Sequence, residues 1–149
     1  MFVSFQPDPA AIRWRVRLQS PPARVFAFLA TDEGRARFWA ESAIESDGRV
    51  HFRFPNGLQY AGQVLAAEPS RLFQIRYLGD TTTTFELTES RDGGTELTLT
   101  DRGNTPEDRM EVTAGWASVL MALKAAVDHD VDLRNHDAAR TWDQGYVEN

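Results

Sequence analysis

Thr105–Val127 reads TPEDRMEVTAGWASVLMALKAAV, and its spacing predicts one long amphipathic helix. Val112, Trp116, Val119, Leu120, Leu123 and Val127 recur at helical intervals and trace a single face. Thr105 can serve as N-cap, Pro106 suits the first helical position, and Asp108 completes a Thr-x-x-Asp capping pattern. Gly115 falls inside the helix, where glycine costs roughly 1 kcal/mol relative to alanine. A strand or ligand packed close to the backbone is the expected compensation.

What precedes this helix is strand-like. Ile12, Trp14, Val16 and Leu18 alternate with Arg13, Arg15 and Arg17, the period-two pattern of a half-buried strand. Met1 to Ala10, with Pro7 and Pro9, reads as an extended arm. Ser20-Pro21-Pro22 opens a short helix through Ala30 with Val25, Phe26 and Leu29 inward. Thr31 caps a second that ends near Phe38-Trp39. Strands follow at Ala43 to Ser46, Val50 to Phe54, Leu58 to Ala67, Leu72 to Leu78, Thr81 to Thr88 and Thr95 to Arg102, parted by turn residues such as Asp47-Gly48 and Pro55-Asn56-Gly57. Links this short require antiparallel hairpins. The order predicts an α+β fold with helices gathered on one face of an antiparallel sheet.

Composition bounds the function. The 149 residues fit one domain, with a core over about 12–129 and a polar tail over 130–149. Without cysteine there are no disulfides, thiolate metal sites or cysteine nucleophile, which suits a reducing cytoplasm. The N-terminus lacks the pattern of a signal peptide, and no apolar run approaches the roughly 20 residues of a membrane span. The net charge of −6 argues against nucleic acid or anionic membrane as partner. Nucleophile elbow, phosphate-binding glycine loop and dinucleotide fingerprint are all lacking, so no cofactor is expected.

Trp39, Phe52, Phe54, Tyr77, Phe85, Trp116 and Leu120 are candidates to line a groove between sheet and helix. They equally suit a filled core, since pockets and cores share apolar residues. Tyr60, Arg76 and Glu86 lie on neighbouring predicted strands and could orient a polar ligand group or act as acid and base. A structural ion pair is the competing reading. His51 and Arg53 read as the wet face of the sheet. Asp128-His129-Asp130, Asp132 and His136-Asp137 have the composition of a metal cluster. Their spacing matches no established site, and a solvated tail is the favoured reading. The polar segment Asp128 to Asn149 could also fold back as a short helix near Asp137 to Trp142.

Taken in order, these residues resemble the helix-grip fold of the START-like (SRPBCC) superfamily, a curved antiparallel sheet wrapped around a long C-terminal helix. Within it they are similar to the branch of homologues of the heat-shock chaperone ATPase activator. The resemblance is carried by Pro22-Ala23-Arg24-Val25-Phe26, Trp39, Gly57 with Gly62 and Val64, Pro69-Ser70-Arg71-Leu72, Gly94-Thr95-Glu96-Leu97-Thr98-Leu99 and Gly115-Trp116 with Leu120 and Leu123. It covers about residues 12 to 127 and departs at Asp47-Gly48-Arg49, where many members carry paired glycines. The resemblance implies a groove, since cousins bind lipids, hormones or polyketides there. It implies a chaperone partner only by analogy, because the eukaryotic activators use this domain beside a second, chaperone-docking one. The expected function is non-catalytic binding of a small apolar or amphipathic ligand, with a homodimer as further assembly. The alternatives are a polyketide cyclase or dehydratase-like enzyme in the same pocket, and a chaperone-associated interaction module.

Overall fold

A computed structural model describes residues 4–149. The chain runs β1 (Ala11–Leu18), α1 (Pro22–Ala30), α2 (Asp32–Arg35), β2 (Ser42–Ser46), β3 (Arg49–Arg53), β4 (Gln59–Glu68), β5 (Leu72–Tyr77), β6 (Thr81–Glu89), β7 (Thr95–Arg102) and α3 (Arg109–His129). The seven strands form one antiparallel sheet in the order β1-β7-β6-β5-β4-β3-β2. This is the α+β helix-grip architecture expected of the sequence. Strand alternation puts Ile12, Val50, Phe52, Phe73, Ile75, Phe85, Leu97 and Leu99 on the concave face, all buried. A register shift between Val64 and Ala66 bulges β4 and helps the sheet curl. The β2–β3 hairpin turns on Asp47 (φ 52°) and Gly48 (φ 75°), the two positive values that a type I′ turn requires.

α3 lies in the concavity with Trp116, Leu120, Leu123, Ala126 and Val127 buried. Among the described residues it is the one helix long and apolar enough by composition to cross a membrane, and its buried residues are those that face the sheet. Its start differs from expectation. Thr105 Oγ1 and Asp108 do pair, at 3.0 Å and 3.3 Å, but they close a separate turn, and the helix begins at Arg109. Its end is fixed by Asp128, whose carboxylate accepts from the Gln19 and Ser20 backbone N–H groups and from Ser20 Oγ. Burial alone would raise this carboxyl; those hydrogen bonds outweigh it and hold the group below its ordinary value.

On α1 the buried residues are Val25, Phe28 and Leu29, and the expected Phe26 is only half-buried. Thr31 caps α2 as expected, its hydroxyl accepting from Gly34 N–H at 3.0 Å. The Arg35 side chain is fully buried and donates to Ala43 O, Leu29 O and Asp32 Oδ1, fastening both short helices to β2. Met1 to Val3 of the predicted arm fall outside the described residues. Further along it, Gln6 exchanges two hydrogen bonds with the Arg13 backbone and so occupies the free edge of β1.

Candidate functional site

The site is built around Trp39. It follows α2 in a turn held by its own N–H bond to Arg35 O at 2.8 Å. Its ring lies 5.0–6.0 Å from those of Phe52, Tyr77, Phe85 and Trp116, so β3, β5, β6 and α3 all converge on it. Trp39 Nε1 donates to the Tyr77 hydroxyl at 3.1 Å. Trp116 Nε1 donates to Asp101 Oδ2 at 2.9 Å, and Asp101 also accepts from Thr83 Oγ1 and Asn104 Nδ2. Each indole thus has an acceptor in an otherwise apolar interior, as buried N–H groups require. Burial holds the Tyr77 phenol well above its ordinary value, so it is neutral.

Above this aromatic floor lies a cleft of about 550 Å³ between the first half of α3, the β3–β4 loop and the end of β5. Trp39, Phe54, Tyr77 and Trp116 wall it, with Val112, Val119, Leu58 and Leu78. Gly115 also lines it, and a Cβ there would meet nothing within 4 Å. No close backbone packing compensates for this glycine. Its missing side chain instead leaves the cleft open. Asp108, Glu111 and Asp143 stand at the exposed rim. A second cleft of about 460 Å³ shares Trp39, Phe54, Pro55, Ser118, Val119 and Asn149 with the first and continues toward Ala122 and Leu133.

The expected lining residues divide three ways. Trp39, Phe54, Tyr77 and Trp116 line the clefts. Phe52, Phe85 and Leu120 are buried beneath them as core, and Tyr60 stays on the inner face with its ring 6.1 Å from Tyr77. Arg76 and Glu86 are corrected: both are exposed on the outer face of the sheet. Neighbours on a strand point to opposite faces, so with Tyr77 and Phe85 inward their neighbours Arg76 and Glu86 must point outward. They are not brought together either, since Arg76 pairs across from Thr82 and Glu86 from Leu72.

The polar tail is the second correction. It does not float in solvent but returns across the mouth of the groove. Arg134 donates to Ala36 O and Ala40 O at 2.7 Å and 2.9 Å. Ser118 Oγ donates to Val147 O, Trp142 Nε1 to Glu111, and Asn56 Nδ2 to Asp143. The only helical turn here is a 3₁₀ one at Trp142–Gln144, later than the expected Asp137 to Trp142. His136 bridges two carboxylates, Glu41 and Asp132, with 2.7 Å contacts at each ring nitrogen. Carboxylates only accept, so both contacts are hydrogen bonds only while the ring is doubly protonated; the Asp132 bond, with Glu41 adding to it against partial burial, raises the His136 pKa. Partial burial would raise Asp132, but hydrogen bonds from Arg134 and His136 bring it down to about 2. Two further acids are paired as well, Asp130 with Arg37 and Asp137 with Arg140. Among the described residues no three metal-ligating side chains converge.

Asp101 and the partners of the tail were missed by sequence reasoning. Asp101 had a signal, because alternation from Leu97 and Leu99 places it on the inner face. The tail's fold-back was among the expectations, but its docking places had no signal, since its bonds to Ala36, Ala40 and Asn56 span some ninety residues.

The profile described as Activator of Hsp90 ATPase homolog 1-like protein matches residues 19–128. A search of curated proteins finds no match. Among solved structures, a Staphylococcus saprophyticus protein is 23% identical with a TM-score of 0.73, covering 83% of this chain and 96% of its own. The Aha1 dimer from Colwellia psychrerythraea is 21% identical with a TM-score of 0.71, covering 80% and 96%. A protein in the dynemicin biosynthetic locus is 20% identical with a TM-score of 0.70, covering 85% of this chain and 49% of its own. At these identities the likeness is one of fold.

Proposed function

This chain belongs to the Activator of Hsp90 ATPase homolog 1-like family, and we propose that it binds a small apolar or amphipathic molecule, without chemistry, in the groove between sheet and α3. The observation that carries this reading is the aromatic cleft of about 550 Å³ left open at Gly115. A volume of that order suits a small ligand, and an apolar wall with few polar groups is the usual make-up of such sites. A helix that gives up roughly 1 kcal/mol at a glycine facing empty space trades stability for room. The proposed setting is the cytosol, supported by the cysteine-free sequence.

The test is a thermal-shift screen of fatty acids, aromatic polyketides and flavonoids, with mass analysis of every hit. A ligand that binds only the native state raises the melting temperature. Hits recovered unchanged are the expected result. Turnover of a hit would reject the non-catalytic reading in favour of a cyclase-like enzyme.

A second reading, docking of a chaperone or of another copy of this chain, has support in Met110 and Met121. They are 84% and 54% exposed and sit three helical turns apart on one side of α3. Replacing both with Lys should leave the fold intact and abolish any chaperone binding or dimerisation seen with the parent protein.

A further inference from the structure

We infer that Tyr77 is the polar anchor of the groove, and that the ligand is an apolar molecule presenting a carbonyl oxygen to the Tyr77 hydroxyl and bearing no negative charge. This deepens the ligand-binding reading and rests on it.

The first support is the hydrogen count. Trp39 Nε1 can only donate, so at 3.1 Å it uses the Tyr77 oxygen as acceptor. The phenolic hydrogen must therefore point elsewhere. The nearby buried carboxylate does not take it: Asp101 accepts from Thr83, Trp116 and Asn104, and no bond from Tyr77 reaches it. Among the described residues the Tyr77 hydroxyl donates to nothing. Tyr77 is only 8% exposed, yet it lines the cleft of about 550 Å³. A neutral O–H in such a place is a donor awaiting an acceptor, and a carbonyl oxygen is the acceptor that apolar molecules most simply carry.

The second support is charge. No Lys or Arg lines this cleft among the described residues, whereas Asp108, Glu111 and Asp143 stand at its rim. Arg134, in the adjoining cleft, is committed to Ala36 O, Ala40 O and Asp132. A ligand carboxylate would find no counter-ion and would be repelled on entry. Other hydroxyls do not compete for the anchoring role, because Ser118 Oγ already donates to Val147 O.

Three matched probes test this: 2-acetylnaphthalene, 2-ethylnaphthalene and 2-naphthoate, each titrated calorimetrically against the parent protein and Tyr77→Phe. The expected result is that Tyr77→Phe weakens the ketone about tenfold relative to the ethyl compound, the scale of one well-made hydrogen bond. Naphthoate should bind the parent protein more weakly than the ketone. In the infrared, the carbonyl stretch of bound 2-acetylnaphthalene should lie below its value in an alkane solvent, a shift that Tyr77→Phe removes. The infrared reading on the parent protein decides alone if Tyr77→Phe fails to fold. An alkane-like stretch, or a ketone-to-ethyl affinity ratio unchanged by the substitution, overturns the anchor while ethylnaphthalene binding leaves the groove reading standing. Naphthoate binding as tightly as the ketone overturns the charge restriction. Absence of binding by all three overturns the groove reading and this inference together.

Discussion

Trp116 on α3 donates its indole N–H to the buried Asp101 carboxylate on β7 across 2.9 Å, a buried hydrogen bond that ties the middle of the helix to the sheet. Asp101 is 1% exposed and accepts two further bonds, from Thr83 and Asn104. Asp101→Ala strands the buried Thr83 and Trp116 donors and the half-buried Asn104. Bonds to a charged group are worth about 1.5–3 kcal/mol each, though not additively. The expected loss is about 3–5 kcal/mol by urea denaturation. Trp116→Phe keeps most of the ring and should cost less, about 1–3 kcal/mol; an equal cost of Trp116→Phe in the parent protein and in the Asp101→Ala background would show that the bond contributes nothing.

Two glycines should respond to alanine with opposite signs. At Gly115 a Cβ meets open space, so Gly115→Ala should stabilise by up to roughly 1 kcal/mol through helix propensity. At Gly62 the same Cβ would lie 2.2 Å from Arg76 O on the paired strand. Backbone cannot yield there without parting β4 from β5, so Gly62→Ala should cost at least about 2 kcal/mol. Thermal melts of the two variants give the signs directly.

Gly115→Leu extends the first of these into function. The longer side chain projects into the cleft beside Trp116 and Val119. It should lower the affinity of an apolar fluorescent probe at least several-fold while the protein remains folded by circular dichroism. Undiminished probe binding would place the ligand elsewhere.

The tail clamp at His136 should depend on pH in two directions. The pKa of His136 is raised in the folded protein, so its contribution is complete below the ordinary histidine value of about 6.5 and is lost as pH rises through the raised value. Asp132 is lowered to about 2, so its contribution is present above the ordinary value near 4 and is lost as pH falls toward 2. The clamp is therefore tightest between about pH 4 and 6.5. Amide exchange over residues 130–149, corrected for its intrinsic pH dependence, should show protection falling on the alkaline side. His136→Gln should flatten that limb, and an unaltered limb would assign it to another group.

Arg35 is buried with three acceptors, and burial lowers its pKa despite the neighbouring Asp32 and Glu45. Arg35→Ala leaves the Leu29 and Ala43 carbonyls unpaired and opens a cavity. A cost of about 3–5 kcal/mol is expected, read by chemical denaturation. Arg35→Met fills the space without serving the carbonyls and should recover only part of that loss.

The sequence by itself determined what is local. Alternation set the strands, Asp47-Gly48 set a type I′ hairpin, Thr31 capped α2, and the stripe from Val112 to Val127 chose the face of α3, because each depends on residues within one or two turns of each other. Alternation also implied that Arg76 and Tyr77 cannot share a face. Which of the two turned inward was settled by the core, where burying an aromatic ring is favourable and burying an unpaired guanidinium is not. Only the tertiary structure decided the rest: the meeting of Trp39 with Tyr77 and Trp116, the room left at Gly115, and the course of the tail. These arise from contacts between segments far apart in the chain, where the geometry of the curved sheet, and no local preference, sets which side chains meet.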